Sequence, residues 1–132
     1  AVDFKNRDVY FKFVSENPED MLITQIEITW PEEVNGALTR IQLGKNTIWS
    51  GSLVGPTIVI CDDPVAGCQS DSLLVPDGYF SGIETGRILE ALQKEKLRFS
   101  FENRPVADPD EFEYTFIVTF ADGTDVSITT GP

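Results

Sequence analysis

Between Leu22 and Gly51, LITQIEITWPEEVNGALTRIQLGKNTIWSG, apolar and polar positions change places with a period of two. Leu22, Ile26, Ile28 and Trp30 fall on one face with Thr24 among them, and Ile23, Gln25, Glu27 and Thr29 fall on the other. Such alternation marks a strand packed on one side and wetter on the other. Pro31 has no N–H to offer a central ladder, so the strand stops there. Glu32, Glu33, Asn35 and Gly36 make a polar turn, and Leu38–Leu43 and Asn46–Trp49 read as two further strands punctuated by Gly44 and Gly51. Trp30 and Trp49, the only tryptophans, each end a strand. They are expected to anchor one core rather than to form an exposed aromatic platform.

Other segments repeat the pattern. Val9, Phe11 and Phe13 alternate with Tyr10 and Lys12, and Asp3–Lys5 is either the first half of that strand or a separate one. Ser15–Asp20 carries Asn-Pro and three carboxylates, a solvated turn. Thr57–Cys61 follows Gly55-Pro56 and is rich in β-branched residues, which suits a buried strand. Asp62–Ser81 reads as a long loop, tucked onto the core by Leu73, Leu74, Val75, Tyr79 and Phe80. Ser81 and Glu84 fit a capping box, and Ile88, Leu89 and Leu92 recur at helical spacing. With Glu90 four residues before Lys94, these predict one short helix near 82–95, although Gly86 inside it costs about 1 kcal/mol. Leu97, Phe99 and Phe101 alternate again, and Glu102–Glu111 is an acidic, Pro-containing loop. Phe112, Tyr114, Phe116, Val118 and Phe120 then share one face of the most strongly patterned strand.

The last hairpin permits a sharper expectation. A two-residue Asp122-Gly123 turn would set Phe120 across from Asp125 and continue an aromatic face into polar residues. A three-residue loop, Ala121-Asp122-Gly123, instead pairs Val118 with Val126 and Phe116 with Ile128, with Gly123 in the left-handed position of a G1 bulge. Burial of one face selects the longer loop, and it makes Phe116 and Ile128 core anchors beside Trp30 and Trp49. In sum the chain predicts an all-β, two-layer antiparallel β-sandwich, Ig-like in outline, with about eight strands and one short helix. The Cys…Trp…Cys spacing of true Ig domains is absent.

At 132 residues the chain is expected to form a single domain, 1–132, able to bury about two-thirds of its unfolded surface. The net charge of -12 repels phosphate backbones and anionic lipid, arguing against nucleic-acid or membrane contact by this domain. The longest apolar runs are too short to span a bilayer, and no signal peptide is visible, so export implies a mature or truncated form.

Cys61 and Cys68, in CDDPVAGC, are close enough to close a small disulfide ring worth about 2–3 kcal/mol, which implies an oxidising compartment. The competing reading is two reduced thiols or half a metal site. Zinc would need more nitrogen or sulfur ligands, and the chain has no histidine.

Without histidine, nucleophilic catalysis of the Ser-His or Cys-His kind is excluded in its usual form. Paired carboxylates leave a glycosidase-like acid and base open, but Glu16, Glu19, Asp20, Glu32, Glu33, Asp108 and Asp110 sit in turns, where charge serves solubility. Calcium is the better functional reading of these oxygens, at Asp108, Asp110 and Glu111 or at Asp62 and Asp63, although neither segment has the EF-hand order. The reading adopted is no enzyme, no cofactor and no dedicated metal site.

The run ITQIEITWP followed by NGALTRIQLGKNTIWSG resembles the β-domain of surface proteins related to type IV pilins and pseudopilins. The matching positions are Ile26, Ile28, Trp30 and Pro31, then Leu38, Thr39, Ile41, Leu43, Gly44, Thr47, Ile48, Trp49 and Gly51. Leu97, Phe99, Phe101 and Tyr114–Gly123 fit the closing strands of the same family. The resemblance implies a globular head displayed on an extracellular filament at the cell surface, with neighbouring subunits as partners. Pilin-like subunits polymerise through a long apolar N-terminal helix, whereas Ala1 lies almost at the first strand. That helix is expected to have been removed, or to be supplied by a separate chain. The alternative is a secreted carbohydrate- or protein-binding module using Tyr10 or Tyr79 with acidic loops and calcium.

Overall fold

The computed structural model describes residues 2–5, 7–14, 19–53, 57–61, 88–90, 94–103 and 113–130. In chain order the elements are β1 (Val2–Lys5), β2 (Asp8–Val14), β3 (Met21–Thr29), α1 (Glu32–Asn35), β4 (Leu38–Leu43), β5 (Asn46–Leu53), β6 (Thr57–Cys61), β7 (Ile88–Leu89), β8 (Lys94–Phe101), β9 (Tyr114–Phe120) and β10 (Asp125–Thr130). One sheet has the order β1-β2-β8-β4-β5 and the other β10-β9-β3-β6, with β7 pairing the start of β3. The pairings are antiparallel. The protein is an all-β two-layer sandwich.

Alternation dictates what the two layers share. Along β9, Tyr114, Phe116, Val118 and Phe120 are buried while Thr115, Ile117 and Thr119 are half-exposed. Phe116 of one sheet lies between Phe99 and Phe11 of the other, with ring centroids 4.6 Å and 5.4 Å away. Trp30, Trp49, Leu38, Ile41 and Leu97 complete the same cluster. Each of these large side chains contributes about 1.5–3 kcal/mol by leaving water. The helix is only one turn: Val34 and Asn35 both donate their N–H to the Pro31 carbonyl at 3.0 Å. It replaces a plain polar turn at Glu32–Gly36.

Among the described residues, several bulges break the strict alternation. Across from β9, Ile23 pairs with Phe120 and Gln25 with Thr119, so Thr24 is an extra residue. The strand therefore changes face at Thr24: Ile23 is buried with Ile26 and Ile28, and Leu22 is half-buried. This corrects the uninterrupted alternation that placed Leu22 inside and Ile23 outside. In β4 the extra residue against β8 is Thr39. Each bulged threonine donates its hydroxyl to a carbonyl of the strand opposite, Thr24 to Thr119 at 3.3 Å and Thr39 to Ser100 at 3.1 Å. In β5, Ile48 is the extra residue against β4, which is how adjacent Ile48 and Trp49 are both buried.

The helix predicted near 82–95 is also corrected. Ile88–Leu89 is a strand paired with Met21 and Leu22, and Lys94 and Glu95 already belong to β8. Leu89 is fully buried by that pairing. A Glu90–Lys94 pair on an isolated helix is worth only about 0.2–0.5 kcal/mol, less than the burial of Leu89. The short helix lies instead at Glu32–Asn35. Ser81 and Glu84 lie outside the described residues. The described residues form ten strands where about eight were expected, since β1 is separate and β7 is added.

The terminal hairpin has the three-residue loop. Val118 pairs with Val126 and Phe116 with Ile128, and Gly123 has φ of 90°. Ile128 is half-buried against the core, whereas Val126 at the rim remains 39% exposed.

Candidate interaction surfaces

Strand alternation sends most of the large aromatic side chains to the interior, while Tyr10 shares the outer face of the first sheet with Lys12, Lys96 and Arg98. Trp30 and Trp49 lie within the core, 2% and 0% exposed. The Trp30 ring packs on Phe101 with centroids 5.5 Å apart, and its Nε1 donates to the Gly36 carbonyl at 2.9 Å. They line the inside of the sandwich and not a reactive cleft.

One polar pair interrupts the interior. The Tyr114 hydroxyl donates to Asn35 Oδ1 at 3.0 Å, and the Asn35 backbone carbonyl accepts from Asn103 N–H at 2.8 Å. Asn35 is fully buried, and its Nδ2 has no partner among the described residues. Burial pushes the Tyr114 phenol above its usual pKa, keeping it protonated.

The outer faces differ in charge. The outward positions of the first sheet include Lys12, Arg40, Lys94, Lys96 and Arg98 against Asp8. The strands of the second contain Glu27 and Asp125 and no Lys or Arg. Cross-strand register gathers the cations: Lys12 stands opposite Lys96, Tyr10 opposite Arg98, and Gln42 opposite Arg98 on the other side. Lys96 Nζ sits 4.4 Å from the Tyr10 ring centroid and Arg98 Cζ 5.6 Å from it. Asp8 accepts from Ser100 at 2.6 Å and lies 3.5 Å from Arg98. A basic face thus stands on a chain whose net charge is -12. Its sequence signal is the alternating KEKLR of 94–98, whose meaning depends on β2 and β4 flanking it.

An open hollow of about 190 Å³ is lined by Glu19, Asp20, Met21, Leu22, Phe120, Ala121 and Asp122. Among the described residues no group of acids, cysteines or histidines could hold a metal ion. The expected calcium ligands Asp62, Asp63, Asp108, Asp110 and Glu111 lie outside the described residues, as does Tyr79. Cys61 ends β6, but its side chain and Cys68 lie outside them too.

The geometry defines a two-sheet antiparallel β-sandwich with outer faces of unlike charge. No family model, characterised protein or solved structure matches the chain.

Proposed function

We propose that this domain is a non-enzymatic structural subunit, the globular head of a pilus-like or pseudopilus-like extracellular filament. The observation that carries the reading is the basic outer face formed by Lys12, Arg40, Lys96 and Arg98 on an otherwise acidic domain. Such a face fits the acidic remainder of the next copy. A contact between unlike surfaces does not close on itself unless its rotation does, and so it builds a chain. The sequence resemblance to pilin-like heads supports the same reading, since its residues are the ones that close β3 and build β4 and β5. Neighbouring subunits are the partners. Nucleic acid and membrane are poor partners for a domain of this net charge.

The alternative is a secreted carbohydrate- or protein-binding module, favoured by half-exposed Tyr10 on the basic face. A sugar ring would have to displace Lys96 from the Tyr10 ring. Mass spectrometry of purified surface filaments, with the residues encoded upstream of Ala1, tests the proposal. The chain should occur in filaments, and its precursor should carry a prepilin-type leader and apolar helix unless a separate chain supplies that helix. A filament-free monomer that scores on a glycan array would replace this reading with the alternative.

A further inference from the structure

The outer edge of β10 pairs with no strand among the described residues. Phe120 N–H donates to the Thr124 carbonyl at 2.9 Å, and the register then pairs Val118 with Val126 and Phe116 with Ile128. Bonded and non-bonded pairs alternate along an antiparallel ladder. Val126 and Ile128 therefore direct their backbone groups at β9, while Asp125, Ser127 and Thr129 direct theirs outward. Natural edges are commonly blocked by lysine, proline or a bulge. The β10 edge has none of these, whereas edge strand β5 is bulged at Ile48. Beside it, Val126 and Ile128 line a shallow groove with Lys12 and Phe13.

We infer that β10 pairs antiparallel with β10 of a second copy, about a two-fold axis through Ser127. Ser127 then exchanges both backbone bonds with the partner's Ser127, and Asp125 does so with the partner's Thr129. Between them Val126 meets the partner's Ile128, covering the exposed apolar side chain on each copy. Centring the pair on Asp125 would oppose two carboxylates, and centring it on Thr129 would set Ile128 opposite the partner's Thr130 instead of opposite Val126. The self-complementarity of this one register selects a second copy over a foreign strand. In it the two Asp125 side chains are about 13 Å apart along the ladder, beyond a Debye length of about 8 Å at physiological salt. Pairing over one short strand buries less than a standard interface, so the dimer is weak, and salt strengthens it by screening the like net charges. This contact is isologous and does not rest on the filament reading.

Sedimentation velocity of the full chain, from micromolar to millimolar concentration, tests it. A dimer should form and tighten as salt is raised. Ser127→Pro removes only an outward N–H, a position an edge strand tolerates, so the fold persists by circular dichroism while dimerisation weakens about tenfold or more. Ser127→Cys should give a dimer linked through position 127 on mild oxidation, since paired Cα atoms about 5.5 Å apart suit a disulfide. A chain monomeric at millimolar concentration in high salt overturns the inference. So does a dimer that forms no 127–127 link.

Discussion

The Tyr114 hydroxyl donates to Asn35 Oδ1 at 3.0 Å, joining β9 to the helical turn that follows β3. Both residues are fully buried. Tyr114→Phe would leave that carbonyl without its partner, at a cost of about 1–3 kcal/mol. Urea unfolding should report it as a lower midpoint with an unchanged slope. The phenol pKa is raised by burial, so the folded state holds its proton after the unfolded chain has released it. This stability is present below the ordinary value of 10.0 and is lost as pH rises toward the folded value. Tyr114→Phe should remove part of that alkaline loss, measured as stability against pH.

Gly36 is the next point of tension. Its φ is 72°, and its carbonyl receives the Trp30 indole N–H. Alanine there would cost about 1–2 kcal/mol in backbone strain. Its Cβ would also lie 3.1 Å from the Glu102 Cβ, which cannot swing aside as a side-chain tip can. Gly123 has φ of 90° but open space around it. Gly36→Ala should therefore be the more destabilising of the two by denaturant unfolding. Equal losses would mean that backbone strain alone decides.

Asp122 closes the β9–β10 hairpin by accepting from the hydroxyl of Thr124 at 2.6 Å and from its N–H at 2.9 Å. These bonds favour the carboxylate and hold its pKa below the usual 3.8. The contribution is present above that value and is lost as pH falls through the lower folded one. Titration of Asp122 by NMR should show the depressed value, and Thr124→Val should bring it back toward normal. An unchanged titration in Thr124→Val would assign the shift elsewhere.

The β9 pattern is legible because its side chains alternate without interruption, and local chemistry at Asp122-Gly123 then determines the hairpin. The bulges are not legible. An extra residue at Thr24 or Ile48 leaves composition untouched and is recognised only against the partner strand. Nor does local spacing show that Ile88 and Leu89 have β3 available to them, which decides strand over helix. The basic face has the same character: KEKLR is visible in the sequence, but Lys12, Tyr10 and Arg40 join it only through long-range pairing. What was readable is therefore the interior, and what was not is the side-by-side order of strands that composes the surface.

The bulge at Thr24 yields the sharpest contrast between neighbours. Without it Leu22 would share a face with Ile26 and Ile28, and Ile23 would face outward. With it Ile23 is 1% exposed opposite Phe120, while Leu22 lines the open hollow beside Asp122. Ile23→Ala should therefore cost about 2–5 kcal/mol, the transfer energy of the lost atoms plus the cavity they leave. Leu22→Ala should cost about 1 kcal/mol, since its site is already partly wet. Denaturant midpoints of the two variants measure the difference. A larger loss at Leu22 than at Ile23 would mean that β3 runs straight through Thr24 with its faces exchanged.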